Sequence, residues 1–342
     1  MRAAVYYRNA DVRVEEVPEP RPPGPGELLL QVDACGVCGS DTMEWYRAPK
    51  APLVLGHEAV GRVLQTGAGA PFREGERVFA SHHVPCLTCH ACLRGREAAC
   101  DLLRSTHLEP GGFAERARVP AVNVQKGGVL RIPDALTDLE AVFVEPLGCV
   151  VRGQRSAGVR PGDSVLVLGS GAAGLLHVRL ARATGAGPIV ATDTNPARLA
   201  AAERSGADLT VQAGEDVVGA VRKATGGRLA DVVVTSAGAP AALKQALACV
   251  EPGGTILWFA PSGPDVELAL PFNACWRNEV TLTSSYAASP RDLAEALALL
   301  TTGRVRVADL VTHQLPLAEA QRAFTLVAEA REGLKVVLLP GR

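Results

Sequence analysis

SVLVLGSGAAG, residues 164–174, reads as an apolar β-strand that runs directly into a Gly-x-Gly-x-x-Gly turn. An apolar helical pattern follows over residues 175–183, and GPIVATD supplies the next strand. In that context the three glycines have separate roles. Gly169 permits the tight turn, Gly171 lets the backbone approach a pyrophosphate, and Gly174 lets helix and strand pack closely. The phosphates then sit on the helix N-terminus. Asp193 closes the second strand, 19 positions after Gly174, where a carboxylate accepts hydrogen bonds from ribose hydroxyls and repels a 2′-phosphate. No cation follows in Thr194, Asn195 and Pro196, so NAD is expected rather than NADP. Arg198, one helical turn on, either flanks the adenosine or is a solvated helix residue.

Outward from this motif the rhythm of strand and helix continues, with ADLTV, DVVVTSAG and GTILWFA as further apolar strands up to about residue 283. Such alternation predicts a parallel, doubly wound α/β sheet, and Ser236, Gly238 and Ala260 at the ends of later strands fall where that fold holds its cofactor. Before it, over residues 1–145, the apolar runs are short and broken by Gly and Pro, which reads as a β-rich domain. The linker candidate is a helical stretch over residues 146–158. After residue 283 come a helix near 290–301, the strand-like LVTHQLP, a helix near 317–331 and a last strand, KVVLL. That strand either completes the parallel sheet or returns to the first domain.

At 342 residues the chain is long enough for two domains, each with its own core. A net charge of -1 gives no electrostatic reason to bind nucleic acid or an anionic membrane. The N-terminus has no signal-peptide pattern and no apolar run is long enough to span a bilayer, so a cytoplasmic protein is expected. In that reducing compartment nine cysteines are not expected to pair as disulfides.

Four of them, Cys86, Cys89, Cys92 and Cys100, lie within fifteen residues. Thiolates at this spacing close a tetrahedron around one zinc ion and leave no open position, so the site is expected to be structural and inert. His90 between them is read as solvent-facing. A nucleic-acid-binding zinc module is the rival reading, and the slightly acidic chain, with only Arg94 and Arg96 in the lobe, speaks against it.

A second set of donors is more scattered: Cys35-Gly-Val-Cys38-Gly-Ser40-Asp41 and Gly56-His57-Glu58, each ending a strand-like run. A Cys, a His and a carboxylate around zinc, with one position open, make a Lewis acid. With GVCGSD, GHE, the four-cysteine lobe, the EPL of residues 145–147, the glycine motif and LVTHQLPL, the whole chain resembles the zinc-dependent medium-chain alcohol dehydrogenase family, polyol (sorbitol-type) and threonine dehydrogenase branch.

The resemblance implies a GroES-like catalytic domain, residues 1–148 with 284–342 returning to it, and an inserted Rossmann NAD-binding domain, residues 149–283. It implies a catalytic zinc held by Cys38, His57 and Glu145, with Glu58 either a ligand or a neighbour that exchanges with water. Cys149, one turn past Glu145, competes for that ligand role, and Glu145 also reads as a plain helix-start carboxylate. Ser40 is placed to take the hydroxyl proton; it also suits a helix N-cap. Many relatives carry a relay histidine where this chain has Met43, which cannot move a proton. Met43, Trp45 and Tyr46 are expected near the substrate. His82, His83, His107, His177 and His313 are read as structural, and Cys249 and Cys275 as core fillers.

The implied reaction is reversible oxidation of a polyol, secondary alcohol or threonine-like amino-alcohol by NAD, in a homo-oligomer, dimer or tetramer. The alternatives are a simple primary-alcohol dehydrogenase of the same family and a relative that binds NAD and zinc without turnover.

Overall fold

Every residue of Val165–Leu168 is buried, as expected of a strand covered on both faces. In the computed structural model, which describes residues 1–331 and 333–341, this strand pairs in parallel with Ile189–Asp193 on one side and Ala230–Thr235 on the other. Positions 332 and 342 of the expected returning segment lie outside the described residues. The six-stranded sheet runs Leu209–Gln212, Ile189–Asp193, Val165–Leu168, Ala230–Thr235, Val250–Trp258, Thr281–Ser284, all neighbours parallel. This is the doubly wound nucleotide-binding order, and its switch point lies between Val165–Leu168 and Ala230–Thr235.

The chain separates into two compact units: Met1–Gly148 with Ala287–Arg342, and Cys149–Tyr286. The helix Val144–Ala157 carries the backbone from the first into the second. Ser284 still pairs with Trp258 as the last residue of the edge strand, so the return to the first unit starts at Ala287.

The first unit is built on a seven-stranded sheet. Its order is Val311–Pro316, Lys335–Leu339, Leu28–Val37, Glu58–Thr66, Arg77–Ser81 and Val129–Arg131, with Arg116–Val119 also pairing Leu28–Val37. Lys335–Leu339, the KVVLL strand, thus joins the first unit, antiparallel to Leu28–Val37. A smaller sheet orders Asp11–Glu16, Arg2–Arg8 and Leu53–Val54. Tyr6, Phe113 and Phe324, all fully buried, meet at ring distances of 5.7 Å and seat the helix Ala320–Glu329 on this core.

Cys249 is buried as expected, but Cys275 does not fill a core. It lies on the short helix Phe272–Arg277, which buries none of its residues. No disulfide joins any of the nine cysteines among the described residues. No described helix is long and apolar enough to cross a membrane.

Candidate active site and cofactor cleft

The glycine motif of the second unit forms the turn at the switch point. Gly169 has φ +97°, a conformation that strains any residue with a side chain. A Cβ on Gly174 would stand 1.9 Å from the Gly169 carbonyl oxygen, whereas one on Gly171 would meet nothing closer than Arg198 Nη1 at 3.7 Å. Gly174 is therefore required by the fold, and Gly171 borders open space. The helix Ala172–Ala183 starts at Gly171 without a side-chain cap, so its first N–H groups point outward unspent.

Ser236 N–H donates to the Leu168 carbonyl at 2.8 Å and Ala260 N–H to the Thr235 carbonyl at 2.9 Å, which brings both residues to the same crevice. The Ser236 hydroxyl is buried with no hydrogen-bond partner. Asp193 accepts N–H bonds from Ser170 and Asn195, both at 2.8 Å, which fixes its carboxylate at the strand end. An uncapped helix start, an orphaned hydroxyl and a fixed carboxylate suit a dinucleotide.

In the first unit, ligand atoms of Cys38, His57 and Glu58 all lie within 4.8 Å of one another. The strand Leu28–Val37 delivers Cys38 just past its end, and the strand Glu58–Thr66 begins immediately after His57. His57 Nδ1 is 3.3 Å from Asp41 Oδ1, and Asp41 is fully buried. Burial alone would lower the His57 pKa, but Asp41 outweighs it and holds the pKa well above the usual histidine range. Burial works against the Asp41 charge too, yet His57 and Arg47 keep its carboxyl below the ordinary value. A carboxylate behind a histidine fixes the tautomer so that the other ring nitrogen faces a metal. Sulfur, nitrogen and oxygen donors so placed fit zinc.

Glu58 is buried and ion-paired to Lys335. Burial raises its pKa, and the Lys335 charge opposes that rise. A Cβ on Gly36 would fall 1.8 Å from Glu58 Oε2 and 2.8 Å from Lys335 Cε, which explains the glycine between Cys35 and Cys38. Glu145, buried near the start of Val144–Ala157, is close enough for its charge to act on both Glu58 and Lys335. It stands outside the close group of three, as does Cys149.

Ser40 is not an N-cap. The cap is Cys38, whose sulfur accepts from Ser40 N–H at 3.5 Å, and Ser40 sits within the turn Gly39–Thr42. Arg47 Nη2 donates to the Ser40 hydroxyl oxygen at 3.4 Å, leaving the hydroxyl hydrogen available to another acceptor.

Cys86, Cys89, Cys92 and Cys100 also form a group within 4.8 Å. The Cys86–Cys92 and Cys89–Cys92 sulfur distances are 3.9 and 3.5 Å. A zinc tetrahedron with Zn–S of about 2.3 Å has edges of about 3.8 Å, so the cage has the right size. N–H groups of Thr88 and Cys89 reach Cys86 sulfur at 3.4 and 3.2 Å and pull its pKa down to about 5, while burial pushes Cys92 up to about 12. A divalent cation resolves that mismatch by holding all four as thiolates. His90 is exposed beside the cage.

Several residues near the first site escaped the sequence reading. Asp41 was visible in GVCGSD, yet its role depends on where His57 arrives. Lys335 had no signal beyond being a lysine in an apolar strand. The histidines divide: His177 is a buried structural residue held by Gln154 and pushed down to about 3 by burial, but the His82 ring lies 4.9 Å from His57. His82 therefore belongs to the neighbourhood of the metal ligands.

An oriented Cys–His–carboxylate group and a dinucleotide turn in one chain are the combination expected of a metal-dependent, dinucleotide-linked dehydrogenase. Residues 24–134 match the alcohol dehydrogenase GroES-like domain, and residues 172–302 match the zinc-binding dehydrogenase family. The chain is 32% identical to a sorbitol dehydrogenase of Bacillus subtilis strain 168, covering 100% of this chain and 98% of that one. It is also 32% identical to an L-threonine 3-dehydrogenase of Bacillus velezensis, covering 99% of each. Alcohol dehydrogenase TADH from Thermus sp. ATN1 has a similar structure, with TM-score 0.86, 33% identity and 99% of each chain covered. The chain belongs to the zinc-dependent medium-chain alcohol dehydrogenase family, polyol and threonine dehydrogenase branch. It is accordingly an oxidoreductase that uses zinc and a nicotinamide dinucleotide.

Proposed function

We propose that this enzyme oxidises a polyol, secondary alcohol or threonine-like amino-alcohol to the ketone with NAD, and that Cys38, His57 and Glu145 hold the catalytic zinc. The observation that carries the reading is the convergence of Cys38, His57 and Glu58, with His57 oriented by Asp41 at 3.3 Å. When bound, zinc supplies Lewis acidity that lowers the alcohol pKa and NAD accepts the hydride, so the alcohol yields ketone, NADH and one proton.

The chain's own part is placement and proton handling. Asp41 holds the His57 ring, Lys335 pairs with the Glu58 carboxylate beside the donors, and Glu145 completes the set, with Glu58 either a further ligand or a neighbour that exchanges with water. Ser40 takes the substrate proton at its hydroxyl oxygen and passes it on through solvent, because Met43 offers no acceptor. Gly169, Gly171 and Gly174 bring the backbone to the pyrophosphate, Asp193 takes the ribose hydroxyls, Arg198 flanks the adenosine, and Ser236 and Ala260 line the crevice. Cys86, Cys89, Cys92 and Cys100 brace a loop around a structural zinc.

The same reading gives a cytoplasmic homo-oligomer, dimer or tetramer, whose partner is a small alcohol and neither a nucleic acid nor a membrane. Turnover is tested with sorbitol, xylitol, threonine and 2,3-butanediol, each with NAD and with NADP, following reduced cofactor by absorbance. Two zinc ions per chain and NAD-linked turnover are expected from the two donor groups. Absence of turnover on all four alcohols overturns the reading, and a preference for NADP overturns the role of Asp193.

A further inference from the structure

We propose that Arg47 is a positioning residue for the proton step: its guanidinium fixes the Ser40 hydroxyl so that one lone pair stays open to the substrate proton. The inference rests on the dehydrogenase reading, in which Ser40 takes that proton, and deepens it by naming what holds Ser40 to the task.

A serine hydroxyl rotates freely on its own, and a relay works only when the oxygen presents a lone pair to the incoming proton. Ser40 is half-buried in the turn Gly39–Thr42, two residues past Cys38. The short helix Glu44–Arg47 follows and brings Arg47 back to that turn. There Arg47 Nε donates to the Ser40 carbonyl at 2.9 Å, and Nη2 donates to the Ser40 hydroxyl oxygen at 3.4 Å. Nη2 also lies 3.6 Å from Asp41 Oδ1, the carboxylate oxygen that faces His57. The guanidinium packs 4.7 Å from the centre of the Tyr46 ring, and the Arg47 side chain is only 15% exposed.

One rigid fork thus spans the proton acceptor and the carboxylate that orients a zinc ligand. Among the described residues Arg47 is the only partner of the Ser40 hydroxyl. Its N–H occupies one lone pair and leaves the other, with the hydroxyl hydrogen, for chemistry. The substrate hydroxyl gives its proton to the open lone pair while the Ser40 hydrogen leaves to solvent, so Ser40 ends as it began. A positive charge beside the oxygen favours that departure. The turn itself is held without Arg47. Asn9 donates to the Thr42 carbonyl at 2.7 Å, the Thr42 hydroxyl to the Gly39 carbonyl at 2.9 Å, and Cys38 N–H to Asp41 Oδ2 at 3.0 Å. Removing Arg47 therefore frees the Ser40 hydroxyl while the turn stays in place.

Stopped flow with a pH indicator follows the proton apart from the hydride. The zinc-loaded enzyme with NAD is mixed with trifluoroethanol, an alcohol too electron-poor to give up hydride readily. Arg47→Ala should slow proton release about tenfold, and added guanidinium should restore it. Arg47→Lys keeps the charge but offers a point donor in place of the fork, and should fall between. Adding Arg47→Ala to Ser40→Ala should cost less than about a further twofold, because the group it acts through is gone. With sorbitol, kcat should fall in proportion at unchanged KM and zinc content, and amide exchange across Gly39–Thr42 should match the native chain. Lys50→Met, which removes another cation over the Tyr46 ring, should leave proton release as it was.

Native-like proton release in Arg47→Ala overturns the inference, and sorbitol turnover then leaves the dehydrogenase reading intact. So does an equal slowing in Lys50→Met, which would trace the effect to general charge. Lost zinc or faster exchange across the turn would make Arg47 a structural residue and overturns it as well, as does a native enzyme that releases no proton. Proton release that depends on Arg47, with no oxidation of any alcohol, supports the inference and removes the dehydrogenase reading.

Discussion

At the scale of single residues, Asp41 and Lys335 support the metal ligands from opposite sides. Asp41→Asn keeps the shape but withdraws the charge that orients His57. Loss of such a partner costs about 10- to 100-fold in metal affinity or activity, so zinc content and kcat should fall together while the fold persists. Full activity with full zinc content would dismiss Asp41 as an orienting group. Lys335→Met leaves the Glu58 carboxylate buried without its counter-ion. Removing one partner of a buried pair costs about 3–5 kcal/mol, so zinc-stripped protein should lose about that much in urea unfolding. Zinc supplies a replacement positive charge, and the zinc-loaded form should lose much less. Equal losses in both forms would mean that Glu58 does not sense the metal. The glycines separate in the same way. Gly174→Ala puts a methyl 1.9 Å from the Gly169 oxygen and should destabilise the second unit outright, whereas Gly171→Ala has room and should fold. Its added methyl occupies the space reserved for the pyrophosphate, so dye-displacement titration should show NAD binding lost at unchanged stability.

At the scale of elements, legibility followed locality. The glycine turn and the thiolate lobe each complete their geometry within a single stretch, so spacing alone conveyed it. The metal group near His57 is assembled by sheet register instead. Gly36 lies opposite Glu58 on one side and opposite Val337 on the other, and that register sets Lys335 beside Glu58 although 277 positions separate them in the chain (335 − 58). No periodicity reports such a meeting. For the same reason the run of imidazoles from His57 through His82 and His83 to His107 was invisible: two of its rings follow the strand Arg77–Ser81 and another comes after the lobe. The lobe itself has a small apolar core, Cys92, Cys100 and Leu103, too little to hold a loop unaided. Cys100→Ser should therefore take zinc from two ions per chain to one, with amide exchange accelerated across residues 86–105 and unchanged in the Rossmann sheet. The sheet has its own acid-sensitive link. Asp231 accepts from Ser164 N–H and hydroxyl at 2.8 and 2.6 Å, tying the ends of two adjacent strands. Burial tends to raise its pKa, but those bonds and Arg228 prevail and lower it. A depressed folded value contributes stability that is complete above the unfolded value of about 3.9 and disappears as pH falls through the folded one. Asp231→Asn should flatten the pH dependence of the urea midpoint in that window.

At the scale of the whole molecule, one stretch of the second unit groups several exposed large apolar side chains. Phe272 and Trp276 are 78% and 70% exposed, and Val266 and Leu270 add to the same segment. The segment leads into Thr281–Ser284, the last strand of the parallel sheet, whose outer edge has no neighbour among the described strands. An open edge beside large exposed rings is a surface that soluble proteins normally cover. A second copy covers it most simply, because a two-fold axis lets the same edge meet itself in antiparallel register and buries both sets of rings at once. A homo-oligomer of the kind proposed above would be expected to use this face. Phe272→Ser combined with Trp276→Ser removes the rings without touching a core, so circular dichroism should be unchanged. Sedimentation velocity should show the native chain as a dimer or tetramer and the double variant as a smaller species. A native monomer, or a variant that sediments like the native protein, would place the contact elsewhere.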